Sequence, residues 1–404
     1  MQWVTEHPPQ GQSLCIQCGL CLPACPTFQL TGREDYSPRG RLSAILAIDN
    51  GVPESGVNLE SVLDTCLGCR ACEPACPSSV PYGQILERAR SEIAAQVPGA
   101  RRRFRHWAVG RAITNPTLLG FATRGAALIQ RFNLSWVLPK PLRQPFSGLR
   151  LLSFGSNSLP LTPSDEPALG EVALLKGCVM NAWFTDVHVA TIGVLQAAGY
   201  RVVIPPKQSC CGALAAHEGN ADDAHRLAQA NQLAFADAEA IVINAAGCSA
   251  HMADYGEWLG DGGVFSAKVV DVVSLVATAI ENGDLPRLDI RSDRVGVQDP
   301  CHHRHGQGII SEPRIILDAA GFEVVEIDSS GTCCGAAGMY SVRQPSLSRE
   351  LGETKARQVD ESDVSIVSSA NPGCEMQLRS YCSEEIEIRH PIELYWDALS
   401  SGTP

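Results

Sequence analysis

Two runs of cysteines carry the chemistry that is easiest to read. Cys15, Cys18, Cys21 and Cys25 are spaced C-x-x-C-x-x-C-x-x-x-C and followed by Pro26; Cys66, Cys69, Cys72 and Cys76 repeat that spacing and are followed by Pro77. Thiolates at such short intervals let one loop wrap three sulfurs around an iron–sulfur cube, and in two-cluster proteins the fourth cysteine serves the other cluster. The spacing therefore predicts two [4Fe–4S] clusters. One is held by Cys15, Cys18, Cys21 and Cys76, the other by Cys66, Cys69, Cys72 and Cys25. Gly19 and Gly68 are expected to let the backbone come close to the sulfurs. Zinc knuckles lie further apart and lack the third and fourth thiol at this spacing. One-electron transfer is what a close pair of such clusters does, and no catalytic residue is expected in this part.

A second set of thiols is written twice. Cys178 is followed 32 residues later by Cys210-Cys211-Gly212 and then by Cys248; Cys301 is followed 32 residues later by Cys333-Cys334-Gly335 and then by Cys374. The offset is 123 residues for the first three cysteines and 126 for the last, which marks an internal repeat. Neighbouring cysteines close on each other only with strain, so metal or cluster ligation is expected, either a further cluster or zinc. Redox-active thiols and buried packing cysteines remain alternatives. His302, His303 and His305 follow Cys301, as metal ligands, proton carriers or, the preferred reading, residues that hydrogen-bond and pack around the site; His305 is the best candidate for more than packing. Arg39 and Arg41, in the stretch SPRGR, either face water at a helix start or offset cluster charge. Of the 17 cysteines only Cys382 stands outside a pattern.

Patterned cysteines mean metal more often than disulfides in a reducing compartment. The first residues, MQWVTEHPPQGQSL, show neither a basic nor an apolar stretch of the kind an export signal needs. No apolar run reaches the roughly 18 residues of a membrane span. A cytoplasmic location follows as the expectation, with peripheral attachment to the inner face of the cell membrane left open. The net charge of −12 argues against nucleic acid as a partner.

The elements that must position these residues divide the 404-residue chain in four. Residues 1–92 hold the two cysteine runs and short helical pieces, read as a ferredoxin-type domain. Residues 93–164 contain no Asp or Glu but ten Lys and Arg, so the remainder carries −22. This segment, with Phe104, Trp107, Phe121, Phe132 and Trp136 among its arginines, reads as a linker helical pair that packs its apolar side on the ferredoxin-type domain or docks an acidic partner. The alternative is peripheral membrane contact through residues 101–150. Residues 165–290 and 291–404 are the repeats. VALLK (172–176), RVVI (201–204) and AIVINAA (240–246) read as strands of the first, alternating with helices at 186–199 and 221–238. RVGVQ (294–298), FEVVEI (322–327) and VSIVSSA (364–370) read as strands of the second, with helices at 312–321 and 346–359. The fold class is thus α/β: an α-helical two-cluster ferredoxin-like domain, then a pair of α/β repeats with parallel sheets. The repeat cysteines follow strands and should gather at the carboxyl edge of each sheet.

The cysteine-rich repeat resembles that of the heterodisulfide reductases. A two-cluster module followed by two such repeats resembles the iron–sulfur subunits of bacterial glycolate oxidase, with relatives in anaerobic glycerol-3-phosphate dehydrogenase and lactate oxidation systems. The stretches that carry the likeness are CIQCGLCLPACPTFQLTGRE, SPRGR, CLGCRACEPACPSSVPYG, DPCHHRHGQG, TCCGAAGMYSVRQP and ANPGC. The resemblance implies an electron-transfer subunit of a flavin-dependent oxidase of glycolate or another 2-hydroxy acid. FAD would sit on a partner subunit, and electrons would pass to a quinone or other acceptor. A lactate or glycerol-3-phosphate system, or a disulfide reductase, is the alternative. One departure bears on the last of these: where the reductase motif ends in C-x-x-C, this chain has His251 and Gln377. His251 reads as a replacement ligand or as an ordinary surface or hydrogen-bonded residue. No G-x-G-x-x-G follows a strand, so no flavin site is expected here.

Overall fold

The computed structural model describes residues 14–49, 58–96, 99–152, 159 and 169–401. The first 13 residues and the junction at 160–168 lie outside it, and with them the reading of the N-terminus and the expected boundary at 164/165.

Short β-branched runs flanked by glycine and polar residues become strands. β1 (Glu171–Leu174), β2 (Arg201–Val203), β3 (Ile241–Ile243) and β4 (Val269–Asp271) form one sheet in the order β2-β1-β3-β4. β5 (Arg294–Val297), β6 (Glu323–Glu326), β7 (Ile366–Ser368) and β8 (Glu387–Arg389) form a second in the order β6-β5-β7-β8. Every pairing is parallel, with Val172 opposite Val202 in one sheet and Val295 opposite Val324 in the other. Parallel neighbours need crossovers, which here are helices such as Thr185–Ala197, Ala221–Ala234, Glu312–Ala319 and Pro345–Glu361. One apolar core spans both repeats: Leu174, Ile192 and Val242 of the first join Val295, Ile316 and Ile392 of the second.

The N-terminal part is helical: Pro26–Thr31, Pro38–Asp49, Leu59–Asp64 and Tyr82–Gln96. Proline opens the first two, where its missing N–H costs nothing. Tyr82, Ile85, Leu86 and Ala89 give the last helix one buried stripe. It packs with Leu42, Ile45 and Leu63 around Cys66 and Cys72.

The segment after it is helical as well: Ala100–Trp107 runs into a π-helical turn at Ala108–Ala112, followed by Pro116–Arg131 and Lys140–Ser147. The helix Pro116–Arg131 buries Leu119, Thr123 and Ala127, and Thr123 Oγ1 accepts from Trp183 Nε1 at 2.9 Å, so its packed side meets the first repeat and not, as expected, the ferredoxin-type domain. Its opposite side leaves Leu118, Phe121, Leu128 and Phe132 exposed. Among the described residues no helix is long and apolar enough to cross a membrane.

Candidate functional site

The two N-terminal loops share one backbone. Gln17 and Gly68, each just before the second cysteine of its run, have φ of 60° and 66°; Gly19 and Arg70, each just after it, have 81° and 61°. Alternation of this kind turns successive N–H groups inward towards the sulfurs, and the Gly68 N–H reaches Cys66 Sγ at 3.5 Å. The glycines answer to this conformation more than to close approach. A Cβ at Gly68 would meet nothing within 4 Å, whereas one at Gly19 would come 2.8 Å from Arg39 Nη1.

Cys15, Cys18, Cys21 and Cys76 line one hollow, with Cys72, Leu42, Val80 and Tyr82 behind them. The four thiols expected to share a cluster thus face a common space, and Cys18 is exposed at its mouth. Cys66, Cys69, Cys72 and Cys25 are buried. Burial pushes the Cys66 thiol up, but the Arg41 and Arg90 charges, the Gly68 N–H and the Tyr82 hydroxyl outweigh it and hold it below the ordinary thiol range. A thiolate is the form that binds metal. Burial raises Cys69 and Cys72 instead.

The SPRGR stretch sends one cation to each loop. Arg39 Nη1 donates to the Gln17 carbonyl at 3.1 Å, and Cys21 and Cys15 feel its charge. Arg41 is 1% exposed; its Nε donates to Val62 O and its Nη2 to Thr27 and Thr65. Arg41 is therefore not a solvated helix-start residue.

In each repeat the four cysteines meet at the carboxyl edge of the sheet, each in the loop or helix start after a strand. Cys178 Sγ lies 3.1 Å from Cys210 Sγ, and Cys211 Sγ 3.2 Å from Cys248 Sγ. In the second repeat Cys301 pairs with Cys333, and Cys334 Sγ lies 3.2 Å from Cys374 Sγ. No two of these cysteines are bonded to each other. Thiol donors on Cys178 and Cys211 hold Cys210 low, and those on Cys333 and Cys374 do the same for Cys334. Each repeat thus offers thiolate at its tandem pair. Gly212 and Gly335 have φ of 89° and 88°, which accounts for the glycine after each pair. Among the described residues no three His, Cys, Asp or Glu side chains close around a single-ion position. The donors are all sulfur, a set that suits an iron–sulfur cluster or zinc.

The sites are continuous. Leu67, Cys69 and Ala71 pack in one buried cluster with Cys301, Cys333 and Tyr340, and Tyr340 Oη donates to Thr65 O at 3.0 Å. Arg70 binds Asp254 at 2.7 Å, and His217 Nδ1 meets Glu87 Oε1 at 2.8 Å.

The three histidines after Cys301 separate. His302 Nδ1 lies 3.6 Å from Cys301 Sγ; His303 is buried with Nε2 on Asp271 at 2.8 Å; His305 only meets the Gly331 carbonyl at 3.2 Å. His302, not the expected His305, touches the thiol. His251 is buried, and its Nε2 has no hydrogen-bond partner, so it is not a surface residue. Sequence reasoning gave no role to Tyr340, Glu87 or His217; each acts across a domain boundary that periodicity does not reveal. Cys382 lies away from both sets, beside Ile386 and Ile388.

Comparison with known proteins agrees with this layout. Residues 11–80 match the 4Fe-4S dicluster domain family, and residues 172–253 and 295–379 match the cysteine-rich (CCG) domain family. The chain is 34% identical to the probable glycolate oxidase iron-sulfur subunit of Bacillus subtilis, over 98% of this chain and 96% of that protein. It is 30% identical to the glycolate oxidase iron-sulfur subunit of Escherichia coli, over 95% and 93%. It is 23% identical to a subunit of the dihydromethanophenazine:CoB–CoM heterodisulfide reductase of Methanosarcina barkeri, over 96% and 94%.

Proposed function

We propose, from the premise that the chain belongs to the family of glycolate oxidase iron–sulfur subunits, that it carries electrons out of a flavin-dependent oxidase of glycolate or a related 2-hydroxy acid. Oxidation of the hydroxy acid to the 2-oxo acid releases two electrons and two protons; a flavin on a partner subunit takes them, and a quinone or another acceptor receives the electrons. Bound clusters would supply one-electron steps between the two. Cys15, Cys18, Cys21 and Cys76 hold the first, and Cys66, Cys69, Cys72 and Cys25 the second. Cys178, Cys210, Cys211 and Cys248, and likewise Cys301, Cys333, Cys334 and Cys374, hold further inorganic groups.

The observation that carries this reading is the packing of Cys69 against Cys301 and Cys333 in one buried cluster. It joins the dicluster part to the second repeat through buried side chains, which keeps the path short. The chain's own residues bind and orient: Arg39 and Arg41 place positive charge beside negative clusters, and Arg90 ties the Leu63 and Cys66 carbonyls together at 2.8 Å.

The face that docks on an anionic membrane is the exposed side of the helix Pro116–Arg131 with the turn beyond it. Phe121 is 62% exposed and Trp136 66%, and the segment lacks acidic residues altogether. Aromatic and cationic side chains together suit a charged lipid interface. A lipid-soluble quinone would then be within reach.

Replacing Cys18 with Ser tests the relay. The variant complex is expected to lose about four irons per chain and to stop coupled acid oxidation while the flavin subunit still reduces its own flavin. Normal coupled turnover with the full iron content would end the proposal.

A further inference from the structure

We propose that His251 is a fifth donor to the group held by the first cysteine-rich repeat, beside Cys178, Cys210, Cys211 and Cys248, and that the second repeat has no counterpart. The inference rests on the reading of those four cysteines as ligands and goes beyond it.

His251 stands three residues after Cys248 on the helix Ala246–Ala253, so the two side chains share a face. It is buried, and its Nε2 has no partner among the described residues. Buried polar atoms nearly always have one, so an orphaned nitrogen marks a place where a partner belongs. The ring is edge-on to Tyr255 at 5.5 Å, and Tyr255 Oη donates to the Cys211 carbonyl at 2.5 Å. The same tyrosine thus touches both the imidazole and the backbone of the tandem cysteines. The neighbouring imidazole of His217, at 6.3 Å, has its Nδ1 on Glu87. Neutral imidazole is a good ligand for iron and for zinc.

The second repeat supplies the contrast. Gln377 occupies the matching place, three residues after Cys374, and its Nε2 donates to Ser348 O at 3.0 Å and Ser348 Oγ at 3.2 Å. That amide is engaged in the core. The same slot thus holds a satisfied structural residue in one repeat and an unsatisfied nitrogen ligand in the other. The two repeats are chemically unequal in spite of equal folds and equal cysteines.

The experiment uses the whole chain, purified without oxygen and grown with 15N-labelled histidine. Pulsed electron paramagnetic resonance is expected to show nitrogen coupled to a paramagnetic cluster, since neither N-terminal set contains histidine. The coupling should vanish in His251→Ala and in His251→Cys, with iron retained in the latter, and should persist in Gln377→Ala. Coupling absent from the wild-type protein, or unchanged in His251→Ala, overturns the proposal; the wild-type measurement decides even if the alanine variant does not fold. Cys211→Ser separates the two claims. If it leaves iron and zinc unchanged, the cysteine-ligand reading fails; if it removes metal while His251→Ala changes neither metal nor spectrum, only the histidine claim fails.

Discussion

Arg41 Nη2 donates to Thr65 Oγ1 at 2.8 Å, and Thr65 immediately precedes Cys66. A buried cation is thereby fixed beside the first thiol of the second run. Cys66 and Cys25, both in the second ligand set, feel its charge, while Tyr340 closes the other side of the same turn through the Thr65 carbonyl.

Reduction adds negative charge, so a fixed cation nearby raises a cluster's reduction potential. Replacing Arg41 with Met is expected to lower the potential of one N-terminal cluster by on the order of 60 mV, which is a tenfold shift for one electron. Arg41→Lys should recover part of the shift, because charge returns without the three-way hydrogen bonding. Redox titration followed by electron paramagnetic resonance reads the change, and equal potentials in all three proteins would contradict it.

Arg150 couples the basic segment to the second repeat. It binds Glu375 through Nε and Nη2 at 2.6 and 2.8 Å, and Glu393 through Nη1 and Nη2 at 2.7 and 2.8 Å. Removing it strands two buried carboxylates, so Arg150→Met should cost about 3–5 kcal/mol in denaturant unfolding. Burial pushes Glu393 up, but Arg150 overrides it and brings it to about 2. The folded value lies below the unfolded one of about 4.3, so this stabilisation is present above that pH and is lost as pH falls towards 2. In the variant that acid loss should shrink or reverse, because without Arg150 burial raises the Glu393 carboxyl back towards or above its unfolded value.

His188 gives a second acid sensitivity. Asn244 Nδ2 donates to its Nδ1 at 2.9 Å, so Nε2 carries the proton and donates to the Lys176 carbonyl at 3.0 Å. Burial holds His188 down to about 4. Its unfolded value is about 6.5. The unfolded chain therefore takes up the proton first, and stability is lost as pH falls from about 6.5 to 4. His188→Gln should flatten the slope of unfolding free energy against pH by about 1.4 kcal/mol per unit in that window. An unchanged slope would mean that the imidazole is reached by solvent.

The contrast between these residues shows what a sequence reveals. Cysteine spacing and the 123-residue offset are local or periodic, and they announced both loops and the repeat, while alternating apolar runs announced both sheets. β4 escaped because Val269–Asp271 runs straight into the helix Val272–Asn282, so that VVDVVSLV reads as one apolar stretch. β8 escaped because Glu387 and Arg389 flank a single buried Ile388, too short for alternation to register. Arg41 looks like a solvated charge until the fold closes around it. His217 meets Glu87 across 130 positions, and no local pattern predicts such a pair. His251 could be singled out by its place three after Cys248, but only the orphaned Nε2 separates it from Gln377, which is equally buried.

The last prediction concerns the apolar side of the helix Pro116–Arg131. Leu118, Phe121, Leu128 and Phe132 recur at helical spacing on the exposed side, with Arg124 and Arg131 beside them and Trp136 just beyond. Thr123 and Ala127 face the other way, onto the repeat that holds Cys178. A helix packed on one side and apolar on the other needs a second covering layer. The cations favour an anionic surface for that layer, and the charge of the remaining chain turns its other faces away from it. The double replacement Phe121→Ser and Trp136→Ser should weaken co-sedimentation with phosphatidylserine-containing vesicles about tenfold or more, and leave thermal stability nearly unchanged because both side chains are exposed. Binding of the unaltered protein should weaken as salt rises and be slight on purely zwitterionic vesicles. Unchanged sedimentation, together with loss of co-purification with the flavin subunit, would assign this face to the protein partner and remove it from the membrane.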